Sequence, residues 1–324
     1  MHPYMCASPA QVSDLAALIQ KAKSLISRAK SPATLKAYQN DWRHFETWCR
    51  AHDLPSLPSA PEIIVLYVSD LASTHAVSTI TRRLTSITKA HQVAGYEQSP
   101  ASSRHFVVGE TLKGIRRVLG TEQHGKAPLM AADIRKIVAS SPDSVLGCRD
   151  VALVLTCFAG AFRRSEAAQL RVSDLSFDDN GVVINLRYSK TDQEGAARKV
   201  GIPYSKNLET CAVHALRTWL SVAKITEGFV FRRVDRFGYV SRRRGLHSDS
   251  IGKILKRAAA RSGMDVAPLG AHSLRVGCVT QAAMNGVPEY IIQKQTHHKT
   301  VATLRKYIRS GEIFRDNAAA GLGL

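Results

Sequence analysis

Apolar side chains recur at steps of three and four through roughly the first third of the chain, and that single period restricts this part to helices. Leu35, Tyr38, Trp42, Phe45 and Cys49 follow one another at steps of 3, 4, 3 and 4, lining one helix face. Ser31 and Pro32 supply an N-cap and a proline at the first helical position. Val12, Leu15, Ile19 and Ile26 predict an earlier helix. "SAPEIIVLYVSDLA" (59–72) predicts another, and Ile80, Leu84 and Ile87 a fourth. Val108, Leu112, Ile115 and Leu119 predict a fifth. Arg82, Arg83 and Lys89 lie off the fourth stripe, and Lys113, Arg116 and Arg117 off the fifth. A solvated face explains any one of them. Two such faces in one bundle suit phosphate contacts equally well, so Arg82, Arg83, Lys89, Arg116 and Arg117 are candidate phosphate-binding residues.

"GTEQHGKAP" (120–128) is polar, carries two glycines and ends in proline, the composition of a linker. It predicts a first domain over 1–122, a linker over 123–127 and a second domain over 128–324. Beyond it the period changes. "FDDNGVVINLRYSKTDQEGAARKVGIPY" (177–204) holds a turn at Asp179–Asn180–Gly181, a β-branched run, a polar loop and a second short strand. Helices are expected again from about residue 207 to the end. The predicted fold class is mainly α, with a small antiparallel sheet in the second domain.

Charge narrows the partner. Lys and Arg number 45 against 26 Asp and Glu, a net +19 with pI ≈ 10.0. Residues 1–125 hold 14 basic and 9 acidic side chains, and residues 126–324 hold 31 and 17. Such an excess implies a polyanion, nucleic acid first. Basic residues spread along the chain argue against a membrane surface. The longest apolar run, "VALVLTCFAGAF" (151–162), is too short to span a bilayer. No secretory signal pattern opens the chain. The cysteines at 6, 49, 148, 157, 211 and 278 form no CxxC pair, which fits reduced thiols in a cytoplasmic setting.

Four pieces of the second half can act together. In "GAFRRSEAAQLRVSDL" (160–175), Arg163 and Glu166 lie one turn apart; a surface ion pair accounts for this as well as a site does. Lys190 lies in the loop between the two strands, where a flexible ammonium can reach out. "AHSLRVG" (271–277) sets His272 and Arg275 three apart, and the arginine disfavours protonation of the imidazole. His298 precedes Tyr307 by nine residues. The set holds no carboxylate cluster for Mg²⁺ and no glycine-rich phosphate loop, so no metal and no cofactor is expected. Two arginines can clamp the non-bridging oxygens of a phosphodiester. A tyrosine hydroxyl can attack its phosphorus, and histidine and lysine can move the protons.

The ordered set, R-x-x-E, then K in a β-turn, then "HSLRVG", then His298 and the terminal "YIR", resembles the tyrosine recombinase (phage integrase) family. "SPATLKAYQNDWRHFETWCRAHDL" with "AVSTITRRLTSITKAHQVAGY" is similar to the core-binding domain of its Cre-type members. The resemblance spans nearly the whole chain. It implies a site-specific DNA recombinase shaped as a two-domain, C-shaped clamp, working as a homotetramer on two double-stranded DNA sites. Tyr307 is then the nucleophile that becomes a 3′-phosphotyrosine, and Arg163 and Arg275 bind the phosphate. Lys190 protonates the leaving 5′-hydroxyl, His272 serves in acid–base exchange, His298 bonds the phosphate, and Glu166 supports its neighbours. The family has glycine just before its His or Trp, where this chain has His297; spacing to Tyr307 selects His298. The tail "GEIFRDNAAAGLGL" (311–324) either docks on a neighbouring protomer or frays.

In "SRRRGLHSDSIGKILKRAAARSG" (241–263) a helix is predicted with Ser248 or Asp249 near its start. Arg242, Arg243, Lys253, Lys256 and Arg257 are candidate DNA contacts, with Arg261 beside them. Asp249 could accept a hydrogen bond from cytosine, but capping is the expected role. Two other readings stay open: a telomere resolvase or type IB topoisomerase with the same phosphotyrosine step, and an idle DNA-binding protein on the same fold.

Overall fold

The computed structural model describes residues 30–96, 99, 101, 102, 104–121, 125–186 and 198–298, with Gln20, Lys21, Ser24, Leu304, Arg305 and Tyr307. Of the helix expected around Val12–Ile26 only Gln20, Lys21 and Ser24 are described, all three helical; the loop carrying Lys190 and the tail 311–324 lie outside the described residues. The chain forms two compact units, Met1–His124 and Gly125–Leu324.

The first unit holds α1 (Pro32–Ala51), α2 (Pro61–Ala72), α3 (Val77–Val93) and α4 (Phe106–Leu119). Ser31 caps α1 by accepting from the Thr34 backbone N–H at 3.2 Å, and Pro32 opens the helix. The stripes meet as the period requires: α1 packs on α3 and α2 on α4. Phe45, Ile64, Tyr67, Ile80, Ile87 and Leu112 form the centre of this core. Leu35, at the N-terminal end of the α1 stripe, is exposed.

The second unit contains α5 (Ala131–Ala139), α6 (Val145–Ala159), α7 (Arg164–Gln169), α8 (Ala212–Val222), α9 (Ser248–Arg261), α10 (His272–Met284) and α11 (Glu289–Thr296). The apolar run supplies α6, whose buried face packs against α8 and α10. Strands β1 (Leu175–Phe177), β2 (Gly181–Leu186) and β3 (Arg198–Pro203) form an antiparallel sheet in the order β1-β2-β3. The turn Asp179–Gly181 connects the first two. Gly277, inside the "HSLRVG" motif, lets α10 press its backbone onto Leu129: a Cβ there would lie 1.8 Å from the Leu129 carbonyl oxygen.

Two strand elements depart from expectation. β1 extends the sheet by a three-residue strand too short to show a period. A second, two-stranded sheet pairs β4 (Arg232–Val234) with β5 (Val240–Gly245), in a stretch where only helices were expected. β5 reads "VSRRRG", with no apolar alternation to announce it. Among the described residues no helix is long and apolar enough to cross a membrane.

Candidate active site

Arg163 sits at the N-cap of α7, with extended backbone. Glu166, at the third helical position, reaches back to the Arg163 backbone N–H at 2.8 Å and to its guanidinium at 2.7 Å. This is no surface ion pair. The Glu166 side chain is 1% exposed, and its other oxygen accepts from Arg198 Nη2 at 2.9 Å. Burying a carboxylate away from water is costly unless it is paired and hydrogen-bonded, as it is here. One carboxylate thus fixes two arginines from different elements, α7 and the start of β3. Arg198 escaped notice in the sequence because a single arginine after a polar loop carries no pattern.

Arg275 lies on α10 and is almost wholly buried. Its Nη1 donates to the Ala161 carbonyl and its Nη2 to the Thr296 carbonyl, both at 2.6 Å. The chain turns sharply at both places: Ala161 has φ 49° and His297 φ 50°. Burial first, then the Arg163 charge, lowers the Arg275 pKa to about 10, which still leaves it cationic at neutral pH. Arg275 Nη2 also lies 3.3 Å from His298 Nε2.

His272 opens α10, and its Nε2 is 3.1 Å from the Tyr307 hydroxyl. Partial desolvation, then Arg275 and Arg163, hold the His272 imidazole below its ordinary pKa. His298 is buried; desolvation first, then Arg275, bring it down to about 3. Both rings are therefore neutral at physiological pH. Tyr307 packs against the small cluster of Val279, Ala283, Ile292 and Leu304, and its ring centroid is 6.0 Å from that of His298. The structure therefore brings Arg163, Glu166, His272, Arg275, His298 and Tyr307 into one cluster. Lys190 lies outside the described residues.

His297 closes α11 in the left-handed region, φ 50° and ψ 50°. Glycine adopts that conformation freely, and a β-carbon there costs about 1–2 kcal/mol. His297→Gly relieves this cost while adding unfolded-state entropy, so its stability is expected to stay within about 1 kcal/mol of the parent. His297→Val, β-branched, is expected to lose more than that. Urea unfolding of the two variants checks both.

The candidate DNA contacts divide. Lys89, Arg116, Arg117, Arg242, Arg243 and Lys253 are exposed, and Lys256 is partly so. Arg82 is bonded to the buried Asp41. Arg83 turns inward: its side chain is 11% exposed and meets His44, His75 and the Tyr67 hydroxyl. Arg257 donates to the buried Asp150 at 3.0 Å. Buried Asp41 and Asp150 need cations, and sequence spacing does not show which arginine supplies them. Asp249 is not the cap of α9. That position is His247, whose ring accepts from the Asp249 backbone N–H, and the Asp249 carboxylate pairs with Arg164 at 2.7 Å. Among the described residues, no three His, Cys, Asp or Glu side chains converge in a way that could hold a metal ion.

The model of the phage integrase family matches residues 128–312. This chain belongs to that family, the tyrosine recombinases. An integrase/recombinase xerD homolog of Selenomonas ruminantium is 37% identical over 316 residues, covering 97% of this chain and 92% of its own. The recombinase Cre of Escherichia phage P1 is 24% identical over 305 residues, covering 87% and 85%. The first-unit segments resemble Cre-type members, yet the xerD homolog shares more residues over more of the chain than Cre does. Among solved structures, the Tn1549 transposon integrase in complex with transposon right end DNA superposes with TM-score 0.62 at 17% identity, covering 88% of this chain and 92% of that one. A lambda integrase tetramer bound to a Holliday junction gives 0.59 at 18%, covering 90% and 75%. At these identities the likeness speaks to the fold, mostly helical with small antiparallel sheets, which is that of the family.

Proposed function

We propose that this chain is a site-specific DNA recombinase that cuts and rejoins strands through a 3′-phosphotyrosine. The observation that carries the reading is the 3.1 Å contact between the Tyr307 hydroxyl and a neutral His272, beside Arg163 and Arg275. The Tyr307 oxygen attacks phosphorus, and its proton passes to His272 Nε2. The bond from phosphorus to the 5′ oxygen breaks, and Lys190 supplies the proton that this oxygen takes. Arg163 and Arg275 neutralise the charge that builds on the non-bridging oxygens. That role is one a metal ion fills elsewhere, so cleavage proceeds without one. Religation runs the same steps in reverse, with no external energy source.

The unit before the linker serves as a second DNA-binding domain. Four protomers assemble on two sites, as the lambda integrase does on its junction. The net charge of +19 supports a DNA partner, bound in the cytoplasm. The test is strand exchange between two plasmids carrying the site that footprinting locates. Recombinant products support the reading; binding without exchange under every condition contradicts it.

The histidine environment fixes a pH dependence. A base accepts protons only when neutral, and the neutral form of His272 persists below the ordinary imidazole value of about 6.5. Single-turnover cleavage is expected to stay level as pH falls from about 8 to 6.5 and to decline only below that value. A decline already centred above about 7 contradicts a base of this kind.

A further inference from the structure

The β4–β5 hairpin carries six arginines and one aspartate between Arg232 and Gly245. One of the six is buried. Arg232 donates to the carbonyls of Phe229 at 2.9 Å, Arg242 at 2.8 Å and Glu227, bracing the hairpin from inside. A two-stranded hairpin alone is marginal, so this bracing presents the element rigidly. The aspartate shapes the tip: Asp235 Oδ1 accepts from the backbone N–H groups of Phe237 at 2.8 Å and Tyr239 at 3.0 Å, around Gly238 at φ 87°. On that tip Phe237 is 70% and Tyr239 74% exposed, and the Arg236 guanidinium lies 4.6 Å over the Phe237 ring. Arg242, Arg243 and Arg244 are all exposed along β5. Charged residues on an edge strand commonly protect it from pairing with other strands. Protection does not explain two bare aromatic rings held at a rigid, cationic tip. Arginines flanking aromatics match a polyanion with stackable bases.

We infer that this hairpin is a duplex-DNA contact, its β5 arginines on phosphates and its Phe237–Tyr239 tip against the bases in the minor groove. The inference rests on the recombinase reading for its partner. The test measures binding of the full chain to a fluorescent random-sequence duplex across salt concentrations. Replacing Arg242, Arg243 and Arg244 together with alanine is expected to flatten the slope of log K against log salt by about 2–3, at about 0.9 per lost phosphate contact. Phe237→Ala with Tyr239→Ala is expected to leave the slope unchanged and weaken binding about tenfold. All five side chains are exposed, so thermal unfolding of both variants is expected to match the parent. Parental slope and affinity in both variants overturn the inference while leaving the recombinase reading intact. Loss of self-association with DNA binding unchanged overturns it in favour of a protein contact. Failure of the parent chain to bind duplex DNA overturns both.

Hydrogen bonds behind His298 carry a second, independent assignment. A guanidinium only donates, so Arg275 Nη2 faces a lone pair on His298 Nε2. The neutral ring then carries its hydrogen on Nδ1, which donates to Thr296 Oγ1 at 2.7 Å. The Thr296 hydroxyl in turn donates to the Ile292 carbonyl at 2.8 Å. A lone pair on Nε2 cannot donate to a phosphate oxygen. The tautomer that can do so has its hydrogen on Nε2 and needs a donor at Nδ1. Rotation of the Thr296 hydroxyl from Ile292 towards the ring provides one, with water carrying the imidazole hydrogen from one nitrogen to the other. The geometry points to Thr296 as a positioning residue that sets the His298 tautomer, Nδ1–H in the empty site and Nε2–H once phosphate occupies Arg275.

Nitrogen-15 NMR of the imidazole groups reads this directly. The free protein is expected to show His298 as the Nδ1–H tautomer, and saturating inorganic phosphate or vanadate is expected to shift it to Nε2–H. Thr296→Val, which keeps the shape and removes the hydroxyl, is expected to lose that shift and slow cleavage about tenfold or more; Thr296→Ser is expected to restore both. An Nε2–H tautomer in the free protein, or an unaltered shift in Thr296→Val, overturns the assignment. The NMR result stands even if the chain proves unable to cleave DNA, so the two readings fail separately.

Discussion

Tyr307→Phe is expected to abolish strand cleavage while leaving DNA affinity and stability unchanged. The substitution removes one oxygen and keeps the ring that packs on Val279, Ala283, Ile292 and Leu304. It deletes the atom 3.1 Å from His272 Nε2 and with it the proposed nucleophile. The histidines are on hand to transfer protons, and arginine is not a nucleophile. A gel shift should match the parent, and a nicked duplex should yield no covalent adduct. Cleavage persisting in this variant contradicts the assignment of Tyr307.

Arg275→Lys is expected to damage both chemistry and fold. An ammonium cannot satisfy the Ala161 and Thr296 carbonyls together while presenting a fork to phosphate. Two buried acceptors losing a charged donor cost about 2–4 kcal/mol in stability. Loss of one positioned transition-state donor lowers the cleavage rate by about 10²–10³. Denaturant unfolding reads the first effect. Single-turnover cleavage, measured well below the variant's melting temperature, reads the second. Arg163→Lys provides the comparison: its side chain is 17% exposed and bonded to Glu166, so the rate is expected to fall with a smaller loss of stability.

These two arginines show what was legible in the sequence. Arg163, His272, Arg275, His298 and Tyr307 were legible because their residue types stand in the fixed order that carries the family resemblance, whatever the distance between them, and the structure brings them together. Helices α1 to α4 of the first unit were equally readable, since each buries a stripe at the helical period. Arg198 was invisible: its partner Glu166 lies 32 positions away, and no local spacing encodes that bond. Arg83 and Arg257 carry contacts that local spacing does not encode: by period both lie on the outer side of their helices, yet Arg83 turns inward to His44, His75 and the Tyr67 hydroxyl, and Arg257, half exposed, bonds the buried Asp150. The β4–β5 hairpin escaped because its stability comes from Arg232 and three backbone carbonyls, not from an alternating apolar face. His297 stood out as a departure from the family's glycine, and its left-handed backbone gives the physical reason glycine suits that position.

The most direct measurement is the chemical identity of the protein–DNA linkage. The parent chain is incubated in EDTA with a nicked duplex bearing its footprinted site, so that the short 5′-hydroxyl fragment diffuses away and the reaction stops at the covalent stage. Protease digestion and mass spectrometry then locate the attached nucleotide. The account predicts a 3′-phosphonucleotide on the peptide containing Tyr307, formed without metal. Attachment at any other residue, or cleavage that leaves no protein on the DNA, would contradict it.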